Sequence, residues 1–199
     1  INFSSVSDLV AVAGPLLAEI ASRRDLLRAL VSAARADEGL RNDCELLSEF
    51  YKYVLYRAPN DTRLRLHLFR PDADLHAHAH RWAMVSHVLS GPVANKYYCI
   101  ESDVASAQKP FAEKARITHR LQAGSCYAFG DELIHWFRGA PGSATLTLRG
   151  PAVKPTAMEF RRAGLTPKFS SAAKMEPSLT MTQDQFEYGV RRLEISNVL

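Results

Sequence analysis

A chain of 199 residues, 47% apolar and 23% charged, is long enough to bury a sizeable core and has the make-up of a globular protein. Its net charge of +4 comes from basic residues scattered along the sequence, which argues against a nucleic-acid partner and suits a mildly basic pocket for a small anion. No run of about 20 uncharged apolar residues is present, so no membrane partner is expected.

The three cysteines, Cys44, Cys99 and Cys126, are odd in number and widely spaced. That argues against a disulfide framework and fits a reducing, cytoplasmic setting. The apolar stretch 6–17 lacks a basic flank and a small-residue cleavage site, so it does not read as a signal peptide. One domain is expected over 1–199, as a monomer or homodimer. It divides into a helical N-terminal segment (1–58), a barrel or sandwich (59–162), and a loop with a C-terminal helix (163–199).

In chain order, Leu16, Leu17, Ile20, Leu27, Leu30, Val31 and Ala34 recur at helical spacing. Leu40, Cys44, Leu47, Tyr51 and Val54 step by three or four and predict a second helix, with Asp37 and Gly39 breaking between the two. Their apolar stripes need a surface, so both helices should pack on the part of the chain beyond them. From Thr62 the period changes to two: Leu64, Leu66 and Leu68 alternate with Arg63, Arg65 and His67. Further strands are predicted over 75–90, 95–100, 115–122, 126–129, 133–138 and 144–149, with another around 158–161. Short strands separated by Gly, Pro, Asn or Asp point to a sandwich or barrel. Residues 164–177 read as a loop. Thr182-x-x-Gln185 predicts a capping box opening a last helix with Phe186, Val190 and Leu193 on one face.

The sharpest signal is His76-Ala-His78-Ala-His80. Side chains two apart on a strand share a face, so neighbouring imidazoles of this run can reach one ion. Imidazole suits Fe, Zn, Cu and Ni. His87 has the opposite parity and should pack away, while His67 and His119 read as structural. Trp82 and Met84 share the parity of the histidines and would line a pocket, as Phe137 would beside His135. Tyr97, Cys99 and Tyr127 are candidate walls or acid–base groups. Arg81 and Arg138 should face outward.

The downstream spacing resembles the cupin superfamily. Its first motif is HxH, three or four residues, usually Glu, six residues, Gly; here His78-Ala-His80 leads after three residues to Met84 and after six more to Gly91. Its second motif is Gly, five residues, Pro-x-Gly, two residues, His, three residues, Asn; here Gly124 leads to Gly130-Asp131-Glu132, His135 and Gly139. The resemblance covers about half the chain. It implies a mostly β fold, the cupin double-stranded β-helix or jelly-roll barrel, with helices before and after it. It also implies that His78, His80 and His135 hold one divalent metal ion. Met84 stands in the usual carboxylate slot, so the implied ligands are three neutral histidines. Fe(II) is the leading expectation, with Zn, Ni, Cu or Mn as alternatives. His76 is placed at the rim, and whether it joins the metal shell stays open.

Within the cupins the chain is similar to the three-histidine thiol dioxygenases, the cysteine dioxygenase group. Tyr56-Arg57 before the strand 63–69 resembles the segment whose arginine holds the substrate carboxylate. Residues 145–151 are similar to that family's Ser-x-His-x-Tyr strand ending in proline, with Thr145, Thr147 and Arg149 in place of the Ser, His and Tyr. The second triad is thus absent, and with no cysteine near Met84 the family's Cys–Tyr crosslink cannot form. The resemblance implies a non-haem iron dioxygenase acting with O₂ on a small polar or anionic metabolite. Arg57, His76, Trp82, Met84 and Tyr97 would meet the substrate. The alternatives are a metal-dependent isomerase or lyase, in which Tyr127 or Glu132 moves protons, and a ligand-binding cupin without catalysis.

Overall fold

The computed structural model describes residues 1–71, 77–98, 117–160, 167–171 and 179–199. The N-terminal segment opens with α1 (Val6–Asp8), a π-helical turn (Leu9–Ala13), α2 (Gly14–Ser22), α3 (Arg24–Ala36) and the short α4 (Glu38–Asn42). The first apolar run therefore forms two helices, parted at Arg23, whose backbone leaves the helical region at φ −111, ψ 88. Each buries a stripe: Leu17 and Ile20 on α2, Leu27, Val31 and Ala34 on α3.

The predicted second helix ends at Asn42. Tyr51 and Val54 belong instead to a strand, β2 (Phe50–Arg57), after the two-residue β1 (Glu45–Leu46). Phe-Tyr-Lys-Tyr-Val-Leu-Tyr is rich in residues that favour pleated backbone. Its three-and-four spacing misleads because Tyr53, Val54 and Leu55 are all buried, so both strand faces carry apolar side chains.

The barrel strands come next: β3 (Arg63–Phe69), β4 (Ala77–His78), β5 (Met84–Ser90), β6 (Val93–Tyr98), β7 (Ile117–Leu121), β8 (Cys126–Phe129), β9 (Ile134–Gly139) and β10 (Ala144–Arg149). β11 (Thr156–Phe160), β12 (Pro167–Ser171) and β13 (Leu179–Thr180) lead to α5 (Gln183–Ile195). β12 lies inside the stretch predicted to be loop, paired along its length with β11.

One sheet runs β13-β1-β2-β3-β10-β5-β8 and the other β12-β11-β4-β9-β6-β7, with antiparallel pairing throughout. Counted from β3 to β10, the first, eighth, third and sixth strands share one sheet. The second, seventh, fourth and fifth share the other. That order is the jelly roll, two interlocked Greek keys. The fold is the mostly β double-stranded β-helix expected, flanked by N-terminal helices and a C-terminal helix.

The predicted strand over 75–90 is broken, and its part before Ala77 lies outside the described residues. β4 pairs in one sheet and β5 in the other, so the chain bends at Arg81 and Trp82 to cross between them.

The helices determine which face of the seven-stranded sheet looks inward. Leu64, Leu66 and Leu68 of β3 and Leu146 and Leu148 of β10 pack with Leu17, Leu27, Val31 and Phe186 in one core. Burying each such side chain contributes about 1.5–3 kcal/mol. The opposite face turns into the barrel, where Phe69, Met84, Val88, Val93, Tyr127, Phe129 and Phe137 form a second core. The predicted capping box holds α5 in place: Thr182 Oγ1 accepts from the Gln185 amide and Gln185 Oε1 from the Thr182 amide. Its Phe186 stands edge-on to Tyr53, ring centroids 5.0 Å apart.

Two motif glycines have local steric reasons. Gly91 turns the chain from β5 to β6 at φ +68, and a Cβ there would run into Ser143. A Cβ on Gly139 would run into the Phe69 ring. Among the described residues no helix is long and apolar enough to cross a membrane.

Candidate metal centre

His78 on β4 stands directly opposite His135 on β9, and His80 lies just past the end of β4. The ligand nitrogens of all three lie within 4.8 Å of one another. His80 Nε2 and His135 Nε2 are 2.9 Å apart. Two imidazole nitrogens bound to one ion at about 2.0–2.1 Å, with an angle between tetrahedral and right, are separated by about 2.9–3.4 Å. His80 and His135 are therefore already at ligand spacing, and with His78 beside them the three could hold a single ion. No Asp or Glu joins this cluster among the described residues.

Two features favour the ligating form of the imidazoles. His135 Nδ1 donates to Asn95 Oδ1 at 3.2 Å, which leaves the Nε2 lone pair aimed at the cluster. Asn95 is fully buried. Burial, then the neighbouring histidines, holds His80 well below the usual imidazole range; burial and then His78 do the same for His135. Both rings are neutral at pH 7, as a metal ligand must be. Phe129 stacks on His80 at 5.6 Å and leans on His135 at 4.4 Å, and Trp82 also stacks on His80, at 5.8 Å.

The structure brings several of the other predicted residues to this barrel. Met84 is buried in the apolar cluster with Tyr127, Phe129 and Phe137. Tyr127 stands opposite Ser86 in register, and burial raises its hydroxyl far above the usual phenol range. It is a firmly protonated phenol, not a ready base. Tyr97 lies opposite His135 in register, half-buried and edge-on to His119 at 5.5 Å.

Two predicted residues are not brought in. Glu132 stands in an exposed turn, its side chain 88% accessible, near Lys154 at 3.7 Å. The turn that aligns His135 points this carboxylate at solvent. Arg57, at the exposed end of β2, bonds Asp43 at 2.7 Å and lines a shallow surface pocket with Ala58, Pro59 and Asp61. Asp43 takes up the charge that was expected to hold substrate. His76 and Cys99 lie outside the described residues.

The structure also gathers residues to which the sequence reading gave no role at the site. Arg65, His67, Thr145, Thr147 and Arg149 are all buried, on the faces of β3 and β10 opposite their leucines. Four of the basic residues are thus brought together: Arg57, Arg63 and Arg149 fall in one register row, with Arg65 beside it. The signal was present in the alternation of 63–69. Helices that need a surface claim the leucine face, which leaves the Arg/His face for the barrel interior.

Neither a scan against protein-family models nor a search of curated proteins gives a match. Solved structures with detectable likeness include KdgF from Halomonas sp., at 16% identity and TM-score 0.42 over 54% of this chain and 84% of that one. An RmlC-like cupin from Shewanella frigidimarina has 17% identity and TM-score 0.42, over 59% of this chain and 91% of its own. Streptomyces albus HEPD with 2-hydroxyethylphosphonate and Fe(II) bound has 16% identity and TM-score 0.39, over 54% of this chain and 22% of its own. The jelly roll rests on the strand order and not on these distant likenesses.

Proposed function

We propose that the chain is a metal-dependent enzyme, a non-haem Fe(II) oxygenase that acts with O₂ on a small anionic metabolite. The observation that supports it is the convergence of three histidines, with no carboxylate in the cluster among the described residues, inside a barrel whose wall carries buried arginines. When bound, Fe(II) supplies Lewis acidity and electron-transfer chemistry with its full positive charge retained. The remaining tasks belong to the chain. His78, His80 and His135 hold the ion, and Asn95 fixes the tautomer of His135. Phe129 and Trp82 cover His80 and limit the approach of water. Tyr127 keeps its proton and offers a hydrogen bond from the barrel wall. The arginine wall attracts and orients an anion.

The test is oxygen uptake by iron-loaded protein against a panel of small carboxylates and thiols. Substrate-dependent uptake that disappears on chelation is expected. Full-rate turnover under nitrogen would reject the oxygenase and leave an isomerase or lyase.

A further inference from the structure

An enzyme for a small anionic metabolite needs a group that anchors the anion. Arg65 lies on the barrel face of β3, in register between Val54 of β2 and Thr147 of β10. It is 8% exposed. No acid pairs with it among the described residues. The acids nearby serve other cations: Asp43 bonds Arg57 at 2.7 Å, Asp61 bonds both Arg63 and Arg149 at 2.8 Å, and Glu45 holds Lys52. The buried Nε of Arg65 has no hydrogen-bond partner, and the same holds for Arg149 Nε and His67 Nε2. Thr145 Oγ1 lies 3.3 Å from His67 Nδ1; with its hydroxyl donating there, Nε2 carries the ring proton. The Nε–H donors of Arg65 and Arg149, on adjoining strands, are therefore unsatisfied, with the unpartnered His67 Nε2 beside them.

A lysine in such a place would discharge, but a guanidinium keeps its proton. Burial and then Arg149 and Arg63 bring Arg65 down to about 9, which still leaves it charged at neutral pH. An unpaired buried cation is unfavourable to fold and gains most from an oxyanion that accepts two parallel hydrogen bonds. Its position relative to the histidines is fixed through Trp82. The Arg65 Cζ lies 5.1 Å from the Trp82 ring centroid and the Arg149 Cζ 4.7 Å. The same indole stacks on His80.

We propose that Arg65, with Arg149 and His67 beside it, is an anion subsite that takes the carboxylate or similar oxyanion of the substrate next to the histidine cluster, an assignment that rests on the proposed function. Arg65, not Arg57, is then the residue that selects an anionic substrate. The anion bridges the unsatisfied donors of β3 and β10, and Trp82 lies between it and the metal ligands.

The test uses the full chain carrying Trp136→Phe, so that Trp82 alone reports by fluorescence. Sodium acetate and sodium phosphate are titrated at constant ionic strength, as purified and again after chelation. A saturable change in Trp82 emission that survives chelation is expected. Arg65→Met, checked for fold by circular dichroism, should weaken binding at least tenfold, and Arg57→Ala should leave it within twofold. Arg65→Lys loses the planar fork and, buried without an anion, its charge as well, and should bind more weakly than the parent. It decides the matter if Arg65→Met does not fold, since unchanged affinity in Arg65→Lys overturns the proposal. So does an unchanged titration in folded Arg65→Met, binding that depends only on the metal, or no saturable response to either anion. Anion binding that persists in a protein with no oxygen uptake would sink the oxygenase and leave the subsite standing.

Discussion

Asn95→Ala removes the amide oxygen that receives the His135 Nδ1 proton at 3.2 Å. In the parent that bond commits His135 Nε2 to being a lone pair. Without it the ring can move its proton to Nε2, the nitrogen that lies 2.9 Å from His80 Nε2. Metal binding must then expel that proton and reorient the ring. Asn95 is fully buried, so water does not readily replace the lost acceptor. Outer-shell partners of this kind are worth about 10–100-fold in metal affinity. At about 1.4 kcal/mol per factor of ten, that is about 1.4–2.8 kcal/mol, somewhat above the net value of about 0.5–1.5 kcal/mol for a neutral hydrogen bond. The excess reflects the tautomer change. Asn95→Asp should keep or raise the affinity, because a carboxylate is the stronger acceptor. The assay is competition for Zn(II) or Fe(II) against a chromogenic chelator, with circular dichroism to confirm the barrel. An affinity for Asn95→Ala within twofold of the parent, in a folded protein, would refute the tautomer argument.

Replacing His78, His80 or His135 singly with Ala should abolish stoichiometric metal, read by elemental analysis, while the far-ultraviolet spectrum stays that of the parent. Stability should depend on pH in a set direction. Burial holds His67, His80 and His135 well below the unfolded imidazole value of about 6.5. The unfolded chain therefore binds more protons than the folded one as pH drops below about 6.5, and the metal-free protein loses stability by up to about 1.4 kcal/mol per pH unit for each such ring. Urea titrations at pH 7 and pH 5 measure this, and His67→Gln should flatten the slope. Gly139→Ala forces a methyl against the Phe69 ring. It should cost about 1–3 kcal/mol in the same titration, the scale of an overpacked core.

The histidine cluster was legible because its spacing survives translation into structure. His78 and His135 pair across two strands, and the chain bends at Arg81 and Trp82 without carrying His80 away. The jelly roll was legible through the same motifs and the turn residues between strands. β2 was not, because helix cover on one side and barrel on the other bury Tyr53, Val54 and Leu55 in succession and erase the period. Arg65 and His67 were hidden by the opposite error. In a two-layer protein the polar face of a strand looks outward, but here helices occupy the leucine face and the polar one is enclosed. Asn95 gave no sequence signal at all: a single amide on a strand acquires its role only when β6 meets β9.

β4 has a mechanical consequence. Among the described residues it is two residues long and meets β9 at the register pair His78 and His135. The chain leaves it at once to cross into the other sheet. An ion held by His78, His80 and His135 is therefore a rivet as well as a reaction centre, joining a short strand, the crossing after it and the facing long strand. Its removal should free amide hydrogens at 77–80 for exchange long before those of β3 and β10, which are clamped beneath the helices. In such a barrel the opening of the metal site and the unfolding of the domain are separate events, and loss of metal can precede loss of fold.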